Sequence, residues 1–446
     1  MLAMVERKGT TMKRIWMSIL ISAALAAGAF TGCASAATTS SSAASASASA
    51  PMSMSASMGS SQSSTENLAP VTDGQNVPET MDEFTDRDLQ QEADLTSAKE
   101  ITVKSGEDVT ITEEGVYVLS GTAENSTIVV NADDTAKVQL VLNGLTVTND
   151  SAPAIYVASS DKVFVTTASG TTNTLTVKNA FAYSADEKAD AAIFSKDDLV
   201  LNGKGTLVIS SSDNGIAGND DVKVTGGTYE ITAAGHGIKG NDSVAIANGT
   251  FTINAETDGI HSVNDEDQSK GYVYIADGTF NLKTASDGIE GDAFVKINGG
   301  TFTIEAEEGI EGSYIQINNG VIGIDATDDG INASVKSNVY NTALEINGGD
   351  ITVNMAQGDT DALDSNGSLV INGGTVKINA QFAFDFVTKG ELNGGTVTVN
   401  GEQVTQITES MMGGQGGMGG RGGMGSSGAA PSGMSGDPRS GKSASA

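Results

Sequence analysis

The sequence predicts an all-β fold, a parallel β-helix solenoid with about 21–22 residues per coil. Three observations predict it: a Gly-Ile motif that recurs at nearly constant spacing, a second Gly motif midway between its copies, and short segments of alternating apolar residues around both. Three short strands per repeat, with Gly and Asn at the corners, are typical of a chain that winds into stacked coils.

The Gly-Ile motif sets the length of each coil. Its copies are separated by 22, 22, 29, 21 and 21 residues. The copies are Asn214-Gly215-Ile216, His236-Gly237-Ile238, Asp258-Gly259-Ile260, Asp287-Gly288-Ile289, Glu308-Gly309-Ile310 and Asp329-Gly330-Ile331. The spacing indicates that each copy begins one new coil, and that one coil carries an insertion.

Apolar residues alternate on both sides of the second Gly motif, as in Val222-x-Val224 before it and Tyr229-x-Ile231 after it. This alternation turns one side chain inward and the next outward. Equivalent residues would stack about 4.8 Å apart and form a continuous core. We expect the corner asparagines to form an inward-facing, hydrogen-bonded ladder; they are Asn298, Asn347, Asn372 and Asn393.

The first 32 residues are typical of a secretory signal peptide, with Met12 as the expected start. Lys13 and Arg14 precede an apolar stretch, which ends at Phe30-Thr31-Gly32-Cys33. A cysteine directly after a small residue resembles the lipobox of bacterial lipoproteins, so we expect lipidation of Cys33. The alternative is an ordinary secretion signal that is cleaved after an Ala near residue 36.

The rest of the chain divides by composition and by repeat quality. We expect a Ser/Ala-rich disordered tether over 33–65, because it lacks the apolar residues that a core needs. An acidic linker over 66–95 follows. Then come an N-terminal cap with irregular first coils over 96–210, regular coils over 211–410, and a Gly/Met-rich disordered tail over 411–446.

The charge is strongly acidic. Residues 66–410 hold 54 acidic and 17 basic residues, which gives 17 − 54 = −37. This excludes proteins that bind nucleic acid or anionic lipid by general electrostatic attraction. The single Cys excludes a disulfide framework and a Cys-rich metal site, and two His argue against a multi-His metal centre.

Stacked coils would align the acidic residues in columns. One column precedes each Gly-Ile pair, one follows it, and one lies a few residues further on. Carboxylates about 5 Å apart repel by about 0.8 kcal/mol even at the dielectric constant of water. Ca²⁺ would neutralise them, because it accepts many oxygen ligands in flexible geometry. The alternative is a solvated acidic face. The candidate ligands are Asp220, Asp242, Asp258, Asn264, Asp265, Asp267, Asp287 and Asp292.

Two coils carry insertions, at 264–271 and at about 332–342. Each adds seven residues at the same corner, so we expect both loops on one edge of the solenoid. Insertions in repeat proteins often mark the binding face. The candidate ligand-binding residues are Lys239, His261, Lys270, Tyr272, Glu290 and Glu311.

No catalytic residue is assigned. His236 precedes its Gly-Ile pair and His261 follows its own, so the two side chains need not point the same way. Lys239 and Lys270 are the best candidates for the general base of a polyuronate lyase, but the surrounding acids would raise the pKa of either lysine. No Arg lies between Arg87 and Arg421 to grip a uronate.

Residues 100–400 resemble a family of bacterial cell-surface carbohydrate-binding-domain lipoproteins. The segments that carry the resemblance are Gly115-Val116-Tyr117-Val118-Leu119-Ser120-Gly121, Val141-Leu142-Asn143-Gly144, Ala191-Ala192-Ile193-Phe194-Ser195-Lys196-Asp197-Asp198-Leu199, Asn214-Gly215-Ile216, Asp258-Gly259-Ile260 and Lys270-Gly271-Tyr272-Val273. The resemblance implies a right-handed β-helix similar to pectate lyases, Ca²⁺ between the coils, and affinity for cellulose-like and acidic polysaccharides without lyase chemistry. It places calcium ligands at Asp220, Asp242, Asn264, Asp265 and Asp267.

We therefore expect a calcium-stabilised, non-catalytic, polysaccharide-binding lipoprotein of the bacterial cell surface. It would be a monomer that touches the membrane only through its lipid anchor and binds no nucleic acid. The alternatives are a calcium-dependent lyase of pectate type and a surface spacer or adhesin without a glycan ligand.

Overall fold

The computed structural model describes residues 69–182, 189–358 and 360–409. Within these ranges the chain forms 34 β-strands and no α-helix. Consequently, none of these residues belongs to a helix with the length and apolarity that a membrane crossing needs. The predicted signal peptide (1–32), Cys33, the tether (33–65) and the tail (411–446) lie outside the described residues.

The strands form three parallel sheets that run along the solenoid. The first sheet contains β1 (Lys99–Thr102), the first halves of β3 (Gly115–Glu124) and β5 (Lys137–Asn149), β7 (Lys162–Thr167), β10 (Asp198–Gly203), β13 (Asp221–Val224), β16 (Ser243–Ile246), β19 (Tyr272–Ile275), the second halves of β21 (Ile289–Ile297) and β23 (Ile310–Ile317), β26 (Ala343–Ile346), β29 (Ser368–Ile371) and β32 (Lys389–Leu392).

The second sheet follows the Gly turn of each coil. It contains the second halves of β3 and β5, β8 (Thr172–Val177), β11 (Thr206–Ser211), β14 (Thr228–Ala233), β17 (Thr250–Ala255), β20 (Thr279–Thr284), β22 (Thr301–Ala306), β24 (Val321–Ala326), β27 (Asp350–Met355), β30 (Thr375–Asn379) and β33 (Thr396–Val399). The last strand, β34 (Glu402–Val404), pairs with β33 in the antiparallel direction.

The third sheet carries the Gly-Ile motifs. It contains β2 (Val109–Ile111), β4 (Ile128–Asn131), β6 (Ile155–Ser159), β9 (Ala191–Ser195), β12 (Asn214–Gly218), β15 (Ile238–Gly240), β18 (Ile260–Ser262), the first halves of β21 and β23, β25 (Ile331–Ala333), β28 (Asp361–Ser365) and β31 (Phe382–Phe384). Each strand pairs with its equivalent one coil away, which confirms the predicted all-β parallel solenoid.

The register of the third sheet follows the repeat. Ile216 pairs with Ile238, Ile238 with Ile260, and Ile260 with Ile289, although an insertion separates the last pair. These isoleucines are fully buried. The coil length predicted from the Gly-Ile spacing is therefore confirmed, and the extra residues leave the stack as a loop.

Aromatic rings form a second stack inside the coils. Phe280 lies 4.8 Å from Phe251 and 4.5 Å from Phe302 between ring centroids, and the rings are nearly parallel. Tyr229 extends the stack from Phe251, and its hydroxyl donates to the carbonyl of Gly226. This stack occupies the interior beside the second Gly turn.

The corner asparagines form the predicted hydrogen-bonded ladder, but it does not face inward. The side-chain amide of Asn347 donates to Asn318 at 2.9 Å, that of Asn372 to Asn347 at 2.8 Å, and that of Asn393 to Asn372 at 2.9 Å. The side chains are half-buried or exposed. A ladder on the outside satisfies its amides with water, which the apolar interior does not supply.

The segment before the first coil lies against the first sheet. Residues 69–98, here called the strap, run past the coils from Tyr340 towards Lys162. Gln75 donates its backbone N–H to Val339, and Lys296, 1% exposed, donates to Pro78 and Glu79. The described part of the predicted acidic linker, 69–95, thus makes specific contacts with side chains of the first sheet, although many of its own residues remain exposed.

Phe280→Ala tests the interior stack. We expect it to lower the free energy of unfolding by about 3 to 5 kcal/mol, because it removes a fully buried ring between two others and leaves a cavity. Urea unfolding followed by circular dichroism measures the loss. Thr279→Ala, at the exposed neighbouring position, is the control and should change stability by less than about 0.5 kcal/mol. Equal effects of the two substitutions would contradict the stack's role.

Candidate functional site

The outer side of the third sheet carries a double column of ionisable side chains. In-register pairing stacks Lys239, His261, Glu290 and Glu311, which follow the Gly-Ile pairs. The residues that precede these pairs form the parallel column. We call the acidic part of both columns the carboxylate face; it consists of Asp258, Asp287, Glu290, Glu308, Glu311, Asp329 and Asp364.

The recurrent glycine brings the coils close together at this face. A Cβ on Gly288 would lie 2.6 Å from the carbonyl oxygen of Gly309 and 2.4 Å from Cγ2 of Ile304. Both distances are shorter than van der Waals contact, so only glycine fits there. The close approach holds the flanking acids of successive coils within reach of one another.

Backbone amides orient some of these acids. The N–H of Asp287 donates to Oδ1 of Asp258 at 3.0 Å, and the N–H of Asp361 donates to Oδ1 of Asp329 at 3.0 Å. In each case the amide belongs to the following coil. The second carboxylate oxygen of Asp258 therefore remains directed at side chains rather than at the backbone.

The carboxylates at the centre of the face are crowded. Asp287, Glu308 and Glu311 each place an oxygen within 4.8 Å of the others. Burial, then repulsion from Glu311, raises the pKa of Asp287 to about 10 and that of Glu308 to about 9. Burial and neighbouring acids also raise the pKa of Asp329 to about 7 and that of Asp364 to about 8.

Among the described residues, Lys336 is the basic residue that contacts the centre of the carboxylate face. It comes from the second insertion and forms ion pairs with Glu290 and Glu311, and a longer one of 3.8 Å with Asp292. Burial opposes its charge, but Glu311 and Glu290 outweigh burial and raise the pKa of Lys336 above its ordinary value. One ammonium group therefore neutralises only part of the face.

Both histidines lie at one end of the carboxylate face. Nδ1 of His236 is 2.9 Å from Oδ2 of Asp258, and Nδ1 of His261 is 2.8 Å from the same oxygen. The two rings stack with their centroids 4.0 Å apart. Their positions in the repeat did not require the two side chains to point the same way, but in the structure both point at Asp258. Burial opposes charge on His261, but the hydrogen bonds to Asp258 and Glu290 raise its pKa to about 9.

A groove of about 810 Å³ lies beside the histidine end. Lys239, Lys270 and His261 line it together with acids of the third predicted column and of the first insertion. These acids and their amide neighbour are Asp220, Asp242, Asn264, Asp265, Glu266 and Asp267. Burial, then repulsion from Asp242, raises the pKa of Asp220 to about 6.

The predicted metal ligands thus separate into two groups. Asp258 and Asp287 belong to the carboxylate face, Asp292 lies beside it near Lys336, and the other five line the groove. Several groove residues already have partners: Asn264 and Lys270 both donate to Asp242, at 2.7 and 2.5 Å. Oδ1 of Asn264 accepts the backbone N–H groups of Glu266 and Asp267, which shapes the loop.

The predicted ligand-binding residues also separate. Glu290 and Glu311 belong to the carboxylate face, whereas Lys239, Lys270 and His261 line the groove. Tyr272 does not line the groove, because it stacks on Phe294 at 4.7 Å and donates to Glu83 of the strap. Lys336 was not identified from the sequence as a residue of this site. It lies in the second insertion, which was recognised, but the repeat does not determine the conformation of an insertion.

The two insertions meet on one edge, as predicted from their position in the repeat. Ser337 Oγ donates to the backbone carbonyl of Gln268 at 2.8 Å, and the backbone N–H of Asn338 donates to Oε1 of Gln268 at 3.0 Å. The hydroxyl of Tyr340 donates to the carbonyl of Ser269. The first loop borders the groove, and the second supplies Lys336 to the carboxylate face.

Comparison with known proteins adds a family. A sequence model of the family described as "Carbohydrate-binding domain-containing protein" matches residues 105–380. A protein of that description from Acetivibrio thermocellus is 38% identical over 126 residues, which are 28% of this chain and 44% of the relative. The chain thus matches less than half of that relative's length.

A solved structure is also similar. It is a polysaccharide lyase-like protein from C. thermocellum, crystallised as a gadolinium derivative. The alignment covers 59% of this chain and 99% of that chain, with 28% sequence identity and a TM-score of 0.44.

The raised pKa values predict how stability depends on pH without metal. Asp287 and Glu308 hold their protons in the folded chain up to about pH 10 and 9, whereas the ordinary values are 3.8 and 4.5. The folded state then binds more protons across this window, so stability falls as pH rises through it. The raised pKa of His261 acts in the same direction from 6.5 to about 9.

Thermal unfolding in EGTA between about pH 5 and about pH 9 measures this dependence. Each tenfold difference in proton affinity between the folded and the unfolded chain corresponds to about 1.4 kcal/mol of stability. The double variant Asp287→Asn, Glu308→Gln should flatten the decline, and Glu307→Gln, the exposed neighbour of Glu308, should not. A melting temperature that rises with pH over this range would contradict the assignment.

Proposed function

The chain belongs to the carbohydrate-binding domain-containing protein family, and we propose that it binds an acidic polysaccharide through Ca²⁺ held on the carboxylate face, without cleaving it. The glycan class, the calcium and the absence of catalysis are all part of this proposal. The observation that carries it is the cluster of Asp287, Glu308 and Glu311, whose buried oxygens lie together with too little positive charge around them.

The donor atoms of this cluster suit Ca²⁺. Three carboxylates offer hard oxygen ligands, which Ca²⁺ accepts in variable number and geometry. Asn332 supports the same assignment: it is 9% exposed, its amide nitrogen donates to Glu308 at 3.1 Å, and its buried Oδ1 has no hydrogen-bond partner among the described residues. Bound Ca²⁺ would neutralise Asp287, Glu308 and Glu311 and take up that oxygen.

Calcium also supplies a way to bind an anionic glycan. The region 66–410 carries a formal charge of 17 − 54 = −37, so a polyuronate would be repelled by the bare protein. A divalent cation that contacts protein carboxylates on one side can accept uronate carboxylates on the other. Lys239 and Lys270 in the groove would pair with further carboxylates of the chain, and its hydroxyls would bond to Asp220 and Asp242.

The protonation of the basic side chains argues against a lyase. A general base must be unprotonated when it acts. The hydrogen bond to Asp242 raises the pKa of Lys270, and acids raise the pKa of Lys336 and of His261. These groups therefore carry positive charge at neutral pH and suit binding an anion better than abstracting a proton.

The same proposal includes the cellular location of the protein. The segment before Cys33 is typical of a lipoprotein signal, and the following Ser/Ala-rich segment would connect a membrane anchor to the solenoid. We infer that the protein acts outside the cytoplasm, on the cell surface, as a monomer anchored by lipid at Cys33.

Calcium dependence of glycan retention tests the binding proposal. With excess Ca²⁺ we expect the full chain to melt at a higher temperature than in EGTA and to be retained on polygalacturonate. The variant Asp287→Asn, Glu308→Gln should lose both effects, because it removes the negative charge and replaces one carboxylate oxygen by an amide nitrogen in two side chains of the cluster. Glu307→Gln, which lies outside the cluster, should keep both effects. Thermal unfolding and affinity electrophoresis measure the two effects.

The same experiment separates the alternatives. Calcium-dependent stabilisation without retention on any glycan would favour a surface spacer. Release of an unsaturated uronide that absorbs in the ultraviolet, abolished by Lys239→Ala or Lys270→Ala, would establish a lyase and overturn the non-catalytic proposal.

Cys33→Ser tests the anchor. In a bacterial host, we expect the unaltered chain to fractionate with membranes and to incorporate labelled palmitate, because the cysteine thiol receives the lipid. The variant should lose the label and leave the membrane fraction. Cleavage near residue 36 with no label in the unaltered chain would instead support an ordinary secretion signal.

A further inference from the structure

The sequence contains two histidines, and both lie at the same place on the third sheet. His236 occupies the column that precedes the Gly-Ile pairs, where Asp258 and Asp287 stand in the next coils. His261 occupies the column that follows them, in register with Glu290. Imidazoles thus replace acids in both columns within two adjacent coils, and both face Asp258.

Four donor atoms form a chain of short contacts. Nδ1 of His236 lies 2.9 Å from Oδ2 of Asp258, which lies 2.8 Å from Nδ1 of His261, which lies 2.7 Å from Oε2 of Glu290. The first three donors also lie within 4.8 Å of one another as a group. The arrangement presents two ring nitrogens and two carboxylate oxygens on one side.

Hydrogen bonds alone do not satisfy these atoms. An imidazole Nδ1 carries at most one hydrogen. Nδ1 of His261 nevertheless has carboxylate oxygens of Asp258 and Glu290 within 2.8 Å, and Nδ1 of His236 has both Asp258 and Oγ1 of Thr257 within 3.0 Å. A cation that accepts lone pairs from all four atoms would displace the proton that Nδ1 of His261 holds in the metal-free chain, and it would remove this shortage of hydrogens.

The donor set differs from that of the calcium cluster. Imidazole nitrogen suits Zn²⁺, Cu²⁺ and Ni²⁺, whereas Ca²⁺ prefers oxygen ligands. The surroundings also orient the donors: the backbone N–H of Asp287 holds Oδ1 of Asp258, and Lys336 holds Oε1 of Glu290. These contacts leave Oδ2 and Oε2 free to face the imidazoles, as in metal sites whose outer contacts fix the ligands.

We propose that His236, Asp258, His261 and Glu290 bind a divalent transition-metal ion of the Zn²⁺ type at the end of the carboxylate face. The side chain of Asp258 is 4% exposed and that of His236 is 19% exposed, so the site has a buried base and an accessible rim. The site does not depend on glycan binding. If the proposed Ca²⁺ site is also filled, two chemically different cations would lie side by side on one sheet.

Zinc titration of the full chain, expressed without an affinity tag, tests the proposal. Isothermal titration should detect one saturable Zn²⁺ site that excess Ca²⁺ does not displace. His236→Asn and His261→Asn should each weaken Zn²⁺ binding at least about tenfold, because each removes a direct ligand. Asp242→Asn, a groove acid that does not contact the histidines, is the matched control and should leave the affinity unchanged.

Nuclear magnetic resonance of the unaltered chain gives a result that does not depend on folding of the variants. Because only two imidazoles are present, a long-range ¹H–¹⁵N spectrum contains two ring systems. Zn²⁺ should shift the Nδ1 resonance of both rings. An unchanged ring spectrum at saturating Zn²⁺, or Zn²⁺ affinity unaltered by both histidine substitutions, would overturn the proposal, as would complete displacement by Ca²⁺.

Discussion

In-register stacking of parallel coils is the constraint on which the rest of the structure depends. Neighbouring strands in a sheet lie about 4.8 Å apart, so each position of the repeat becomes a column. Inside the solenoid this gives the buried isoleucines of the third sheet and the aromatic stack from Tyr229 to Phe302. Outside, the same spacing brings together side chains that would otherwise stay apart in water.

The carboxylate face is the electrostatic consequence of that stacking. Glycine at the start of each coil allows the close approach, and the flanking acids are then partly removed from water beside one another. Three features reduce the repulsion between these carboxylates: the raised pKa values of Asp287 and Glu308, the ammonium group of Lys336, and the imidazoles of the two histidines at one end. The proposed Ca²⁺ would be the fourth, and it would also give the face a way to bind an anionic polymer.

Much of the fold was predictable because the repeat is explicit. The Gly-Ile spacing predicts the register of the third sheet, and the corner asparagines predict their own pairing, although they lie outside rather than inside. The acidic columns were predictable in the same way. Contacts made by non-repeating segments were not predictable. The contacts of the strap, the position of Lys336 and the stacking of His236 on His261 depend on loop conformations and side-chain directions, which the repeat length does not determine.

The most direct test of the account is X-ray diffraction from crystals of the full chain grown with and without Ca²⁺. The account predicts anomalous difference density among the carboxylates of Asp287, Glu308 and Glu311 when calcium is present, with Oδ1 of Asn332 as a further ligand. An ordered carboxylate face with no such density at saturating Ca²⁺ would contradict it. The acids would then be a protonated and solvated surface, and calcium would have no part in binding.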